Sequence, residues 1–584
     1  MRVADFIFKF LSDRGVDTVF MVSGGQAMFL VDAIYRNKNI KPICTHHEQS
    51  AGMSADAYGR VSGRLGVALV TAGPGSMNVL NGVAGGWTDS APMMIVSGQS
   101  ALSYVQYQEN SNIRQHGIQG INIKPIVKNI TKYFVTVEDP CKILYYMQKA
   151  YYLATTGRFG PVWIDVPIDV QKMEVPDKLL EEFEPPADIF DNDLLKEQVS
   201  QVMRFLSDSK RPIFIVGQGV RMSKAVNEFT RVIEKLNIPV LTSRLGIDLI
   251  HSDSRLYVGR PGIYGERAAN FAVQNADLII SVGSRLASAL VGYDAKAFGK
   301  KAKKVVVDID ADELNKPGTD IALKVNDDAK RFFLEILSQV DSFDIRDFSG
   351  WVERCNQWKK GYPVVLDVHK SEKPVSSYYF TDRLCDAVRA DDMVLVDTGS
   401  CFHIVCQAWK VKKGQRFLTT GGLSSMGYWA GALGVCAANN RKRTIVITGD
   451  GSLQMNLQEF ATIKHYNLPI KVFILNNEWM GMVRQWQELT YESRYSESYS
   501  DSLPDFVALA EAYGWKGIRC EDPAKLDDAI AEMLSYDGPV MFDCRVSKKA
   551  NCFPMIPSGA AHTEMILHSD EVSGTMDDEA KALV

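Results

Sequence analysis

Residues 444–486, TIVITGDGSLQMNLQEFATIKHYNLPIKVFILNNEWMGMVRQW, constrain the fold most. The run from Thr444 to Thr448 is β-branched and apolar, as a strand buried on both faces of a parallel sheet requires. Gly449-Asp450-Gly451-Ser452 makes a tight turn, and Leu453, Leu457, Phe460 and Ile463 then recur at helical spacing. Pro469 ends that helix. Ile470 to Leu475 reads as a second buried strand, stopping at Asn476-Asn477. Together these form a βαβ unit with both polar clusters at C-terminal strand ends, the edge where open α/β sheets bind ligands.

The chemistry of those ends is specific. Gly449 and Gly451 let the backbone approach a ligand, Asp450 offers a hard carboxylate oxygen, and Asn477 adds a neutral amide oxygen from the next strand. One carboxylate, one amide and a backbone carbonyl leave positions open on an octahedral ion. That suits Mg²⁺ shared with a diphosphate better than an all-protein Ca²⁺ cage. The helix opening near Ser452 favours an anion.

The rest of the chain repeats the alternation. Strands are expected at Thr18 to Val22, Lys41 to Thr45, Gly66 to Thr71 and Pro92 to Ser97, with helices between them. A second block, 195–345, carries strands at Pro212 to Val216, Val240 to Thr242, Leu278 to Val282 and Lys304 to Asp308. The third, 374–550, carries Met393 to Val396 and the opening motif. This predicts an α/β chain of three doubly wound parallel-sheet domains (1–174, 195–345, 374–550) and a tail at 551–584 with a mobile acidic end. Residues 175–194 and 346–373 read as polar linkers. The first and third blocks look like two copies of one plan. A net charge of −5 gives no basic field for nucleic acid. Ten scattered cysteines without paired spacing read as reduced thiols of a cytoplasmic protein. No apolar run reaches membrane-spanning length.

The GDG…NN pair resembles the cofactor motif of thiamine diphosphate enzymes. Within that superfamily the closest resemblance is to the acetolactate synthase group, carried by TAGPGSMN, GRFGPVWIDVPIDVQ (157–171), NNEWMGMVRQWQ (476–487) and CFPMIPSGAAHTEMI (552–566). The resemblance implies a decarboxylating carboligase that takes a 2-oxoacid such as pyruvate and passes its acyl group to a carbonyl acceptor. A non-ligating decarboxylase is the alternative. It implies thiamine diphosphate and Mg²⁺, with Asp450, Asn477 and the Trp479 carbonyl on the metal. Gly449, Gly451, Ser452, Met480, Gly481 and Met482 would lie about the cofactor. Glu48, in CTHHEQSAGMSADAYGR, would hydrogen-bond the aminopyrimidine ring and help move a proton from the thiazolium carbon. Its small neighbours Ala51, Gly52, Ser54 and Ala55 allow close packing and partial desolvation there. Gly73 and Asn78 would line the pyrimidine side. Gly422 and Ser424 would carry Met426, an apolar wedge beneath the rings. Gly399 and His403 would meet the diphosphate, although relatives usually have Gln-His where this chain has Phe402-His403. Gln119 and Trp486 would stand near the reacting carbon and the acceptor. Such enzymes share each site between two subunits, which implies a homodimer or a tetramer of dimers.

In the middle block, Gly217, Gly219, Gly283, Arg285 and Asp308 form glycine turns, an arginine and a strand-end acid that FAD could use. Three positions depart from the family: Val22-Ser23 for Tyr-Pro, Ile118 for Phe and Ile168 for Lys. Losing a cation and an aromatic near the substrate channel points to an acceptor bulkier and less acidic than pyruvate, such as an aldehyde or a keto-sugar. Glu48, Asp450 and Asn477 together argue against a non-catalytic regulatory homologue.

Overall fold

The computed structural model describes residues 1–176, 181–187, 190–560, 562 and 564–566. The acidic end of the expected tail lies outside them. Three six-stranded sheets follow one another, every strand pair parallel. The first contains β1 (Thr18–Met21), β2 (Lys41–Cys44), β3 (Gly66–Val70), β4 (Met93–Gln99), β5 (Tyr133–Thr136) and β6 (Val162–Pro167). The second contains β7 (Pro212–Val216), β8 (Val240–Thr242), β9 (Tyr257–Gly259), β10 (Leu278–Val282), β11 (Lys303–Val307) and β12 (Leu323–Val325). The third contains β13 (Met393–Val396), β14 (Arg416–Thr419), β15 (Thr444–Gly449), β16 (Ile470–Asn476), β17 (Lys516–Cys520) and β18 (Val540–Arg545).

Strand order separates the sheets into two kinds. The first runs β2-β1-β3-β4-β6-β5 and the third β14-β13-β15-β16-β18-β17, the same order counted from each domain's first strand. The second runs β12-β11-β10-β7-β8-β9, the order of dinucleotide-binding sheets. Strands buried on both faces are apolar throughout, as β3, β7 and β13 show.

One helix joins the first and third domains. Helix α1 (Glu48–Ser62) is buried continuously from Ser50 to Arg60. Its small side chains allow the third domain to pack onto its backbone: a Cβ added at Gly434 would stand 1.9 Å from the Ser54 carbonyl oxygen. A single apolar cluster consequently runs from Phe20 and Ala55 through Trp429 to Phe460. Two helices follow β3: the short Pro74–Asn78 and then Leu80–Thr88.

The stretch read as a linker at 346–373 is structured. Ser349–Gly361 is a helix whose Trp351, Val352, Cys355 and Trp358 are buried. Trp351 Nε1 donates to the Pro212 carbonyl at 3.0 Å, and Trp358 meets Phe271 edge-on at 5.8 Å. The charged residues of WVERCNQWKK mask a helical apolar spacing. Strands β9 and β12, three residues each, also escaped the sequence reading. All ten cysteines are free thiols, eight of them buried. Among the described residues no helix is long and apolar enough to cross a membrane.

Asp165 of β6 is buried and accepts hydrogen bonds from Ser97 and Gln99 of the neighbouring β4. Burial nevertheless pushes its carboxyl up to about 7. The folded state therefore holds a proton that the unfolded chain releases near the ordinary carboxylate value. Stability falls as pH rises through that window and levels off above about 7. Asp165→Asn should flatten this slope in thermal melts between pH 5 and 8. A variant whose slope matches the wild type would contradict the assignment.

Candidate active site

A cavity of about 770 Å³ opens between the C-terminal strand ends of the third sheet and those of the middle sheet, with the loop around Asp89 and Arg158 of the first domain on its rim. At its third-domain end, β15 and β16 are in register, Gly449 opposite Leu475, so the residues that follow them meet. Asp450 Oδ1 accepts from the Gly451 amide at 2.7 Å and Oδ2 from the Glu478 amide at 2.6 Å. Asn477 Oδ1 accepts from the Trp479 amide at 3.1 Å. Asp450 is 4% exposed, and burial pushes its carboxyl up to about 6 against the backbone donors. Among the described residues no Lys, Arg or His pairs with it. A buried carboxylate without a counter-charge, beside an amide oxygen, fits a cation.

A Cβ added at Gly451 would reach Met480 Sδ at 3.3 Å and Met426 Cε at 3.7 Å, so both thioethers lie over that glycine. Met426 belongs to the loop 421–427, which is held from three sides. The Gly421 and Gly422 amides donate to the Asp89 carboxylate at 3.0 and 2.7 Å. The Gly427 amide donates to Ser452 Oγ, and Asn456 Nδ2 to the Gly427 carbonyl, both at 2.8 Å. Ser452 Oγ in turn donates to Asp397, which also receives Thr448. Ser452, expected beside the cofactor, thus has its hydroxyl engaged in holding this loop. Thr398 Oγ1 and His403 Nδ1 on the cavity wall are buried without a hydrogen-bond partner.

Gly399, Ser424, Met426, Gly449, Asp450, Ser452, Asn477, Trp479, Gly481 and Met482 line this one cavity, and so do Gly219, Gly283, Arg285 and Asp308 of the middle domain. Burial pushes the Asp308 carboxyl up to about 6. Gly217 and Gly422 are not on the wall. At Gly217 the missing Cβ, which would come within 2.3 Å of the Gly283 carbonyl oxygen, lets two βα turns touch.

Glu48, Gly73, Asn78 and Gln119 gather elsewhere, on the outer face of the first domain, and none lines the cavity. Glu48 opens α1, and its Oε2 accepts from Asn78 Nδ2 at 2.9 Å. Gly73, at φ +63°, backs onto the Gln119 carbonyl, 2.3 Å from where a Cβ would sit. Gln119 is exposed, and Ile118 beside it is 75% exposed. Trp486 is half-buried on helix Gly481–Thr490, beside the Tyr264 hydroxyl but without a well-formed hydrogen bond to it. The described part of 551–566 packs across the third and middle domains. Tyr378 Oη donates to the Phe553 carbonyl at 2.7 Å, and the Ile556 amide to the Ile263 carbonyl at 2.8 Å.

Sequence reasoning missed the group that joins these parts. Arg60, on α1, is buried between Asp56 and Asp89 at 3.6 and 3.4 Å. It also donates to Gln218 of the middle domain at 3.1 Å and to the Thr419 carbonyl of the third at 2.8 Å. The signal was an arginine inside a helix of otherwise small residues, where a charge needs a buried partner. Arg158 of GRFGPV, paired with Asp310 and Glu313 across the domain seam, was missed likewise.

Comparison with known proteins identifies the family. Residues 1–126 match the family model for the thiamine pyrophosphate enzyme N-terminal TPP binding domain, 199–336 its central domain and 397–544 its C-terminal TPP binding domain. A chain with these three in this order is a thiamine pyrophosphate enzyme. The acetolactate synthase large subunit of Lactococcus lactis is 34% identical over 575 residues, covering 98% of this chain and 96% of that protein. That of Cyanidium caldarium is 34% identical, covering 96% of each. The Escherichia coli isozyme 3 large subunit is 33% identical, covering 97% and 99%. The chain belongs to the acetolactate synthase large-subunit family of thiamine pyrophosphate enzymes.

Arg60→Met would leave Asp56 and Asp89 buried without their cation, a loss of about 3–5 kcal/mol. We expect a lower melting temperature together with faster proteolysis at 421–427. A variant as stable and as resistant as the wild type would show that the network does not hold the loop.

Proposed function

We propose that this protein is a cytoplasmic carboligase that decarboxylates pyruvate or a similar 2-oxoacid and joins the remaining acyl fragment to a carbonyl acceptor. The observation that carries this is the unpaired Asp450 carboxylate beside Asn477 on the cavity wall. Asp450, Asn477 and the Trp479 carbonyl would hold Mg²⁺ and through it a diphosphate. Thiamine diphosphate, when bound, supplies the nucleophilic carbon and the electron sink for loss of CO₂. The chain's own residues do the rest. Met426 and Met480 offer apolar support above Gly451, and Asp89 fixes the loop that carries Met426. Asn78 occupies Glu48 Oε2, which leaves Oε1 as the atom to share a proton with a ligand nitrogen.

Glu48 and Gln119 lie outside the cavity, on an outer face with the exposed side chains of Met77, Ile113 and Ile118. A second copy of the chain would bring that face over the cavity, so we read the protein as a homodimer with shared sites, assembling further into a tetramer. Glycine turns at Gly219 and Gly283, with Arg285 and Asp308, suit FAD at the middle-domain end. The relatives' names favour ligation over simple decarboxylation. Ile118 and Ile168, in place of Phe and Lys, favour an acceptor less acidic than a 2-oxoacid, an aldehyde or a keto-sugar.

Two experiments bear on this. With Mg²⁺, thiamine diphosphate and pyruvate alone, CO₂ release should be slow. Added aldehyde or keto-sugar should speed it and appear in a ligated product by mass spectrometry. Rapid acetolactate formation from pyruvate alone would refute the acceptor reading. Glu48→Gln and Asp450→Asn chains, each inactive alone, should recover about a quarter of wild-type activity when co-expressed, because half the dimers then hold one intact site. No recovery would refute the reading of a site shared between two subunits.

A further inference from the structure

Four arginines line the cavity, and three of them are satisfied by the protein. Arg158 pairs with Asp310 and Glu313. Arg331 pairs with Asp327 at 2.7 Å, and Arg285 donates to the Thr88 carbonyl at 2.8 Å. The guanidinium of Arg244, among the described residues, has neither an ion pair nor a hydrogen bond. It is not a loose surface chain. Arg244 opens the turn Arg244–Leu249 after β8. Asp248 pins that turn through ion pairs to Arg221 at 2.9 Å and Arg416 at 2.7 Å. The guanidinium itself stacks over the Phe402 ring, 4.8 Å from its centroid.

The groups around it are neutral. Burial pushes the Cys406 thiol up to about 11 and the Cys552 thiol up to about 12, and it holds the Tyr264 phenol protonated. His403 is kept well below its ordinary value, first by burial and then by the charge of Arg244. Two of these neutral groups also have unmet hydrogen bonds. His403 Nδ1 and Tyr264 Oη are buried without a partner, and their rings lie 4.2 Å apart. A cation and an unsatisfied imidazole nitrogen thus share the cavity wall, with the unsatisfied Tyr264 Oη on the ring packed against that imidazole, and among the described residues no carboxylate pairs with the cation. An unpaired, half-buried charge of this kind is retained only at a cost, which a ligand of opposite charge removes.

We propose that Arg244 and His403, the imidazole backed by the Tyr264 ring, form an oxyanion receptor in the cavity wall, which takes a phosphoryl or carboxylate oxygen of a ligand sharing the cavity with Asp450 and Asn477. Arg244 supplies the charge, and neutral His403 donates from Nδ1. The phenylalanine at 402, a departure from the family's Gln-His, becomes the platform on which the guanidinium rests. The inference rests on the proposed function only in placing ligands in this cavity. Three sources carry the same chemistry: the diphosphate of thiamine diphosphate, the diphosphate of FAD, and the carboxylate of pyruvate.

Isothermal titration of the full-length wild type, R244M and R244K separates them. Each anion is compared with a neutral counterpart: thiamine diphosphate with thiamine, both with Mg²⁺; FAD with riboflavin; pyruvate with acetaldehyde. R244M should bind one anion at least about tenfold more weakly, leave its counterpart unchanged, and be partly rescued in R244K. The anion that weakens identifies the source. A folded R244M that binds all three anions like the wild type, or that loses anion and counterpart alike, overturns the proposal. If R244M does not fold, R244K decides: a several-fold loss for one anion supports the receptor, and unchanged binding overturns it. A wild type that takes up no thiamine diphosphate would sink the proposed function, while the FAD and pyruvate titrations would still read the receptor.

Discussion

The Arg60 guanidinium is the contact on which the arrangement of the three domains depends. It lies on α1, is almost fully buried, and reaches a carboxylate of its own helix, a carboxylate of its own domain, a glutamine of the middle domain and a carbonyl of the third. Desolvating so many charges gives little net stability compared with apolar packing of the same volume. What it supplies is directionality. An apolar seam tolerates sliding, whereas a planar donor with acceptors on three domains fixes one relative placement. Tyr428 Oη, donating to Asp56 and accepting from Arg60, ties the turn Tyr428–Gly431 of the third domain into the same node.

That placement governs the cavity through Asp89. The carboxylate that pairs with Arg60 also accepts the two amides at the start of the loop 421–427. Met426 is therefore aimed by a charge cluster seated in another domain. The matching strand orders of the first and third sheets deepen the picture. Each presents polar residues at its strand ends, Glu48 and Asn78 on one and Asp450 and Asn477 on the other. The two sets do not meet within one chain. The middle sheet, wound in a different order, contributes a wall and the second end of the cavity.

Much of this was legible in the sequence because the signals were local. β7, β8, β10 and β13 fall where apolar, β-branched runs place them, residue for residue. Asp450 and Asn477 come together because a βαβ unit forces its strand ends side by side. The illegible parts depend on contacts distant in sequence. Ser349–Gly361 read as linker because its outward charges are written as plainly as its inward tryptophans. Gly217 looked like a ligand-binding glycine until the neighbouring turn was seen pressing on it. Arg60 and Arg158 lie inside segments that resemble the family but have no distinguishing local pattern of their own, Arg244 lies in none, and only their surroundings distinguish the three from surface arginines.

Helix α1 has eleven consecutive buried residues, and its outer cover is the segment beginning near Ala430. Ser54 and Ala430 are 376 residues apart. At ordinary rates of synthesis the ribosome needs roughly 20–75 s to supply that cover. For that interval the helix that bears Glu48 has one uncovered side, in a first domain whose own sheet is already complete. An apolar face left open for that long is the kind of surface on which unfinished chains associate, so the timing of synthesis bears on this fold as well as its final stability.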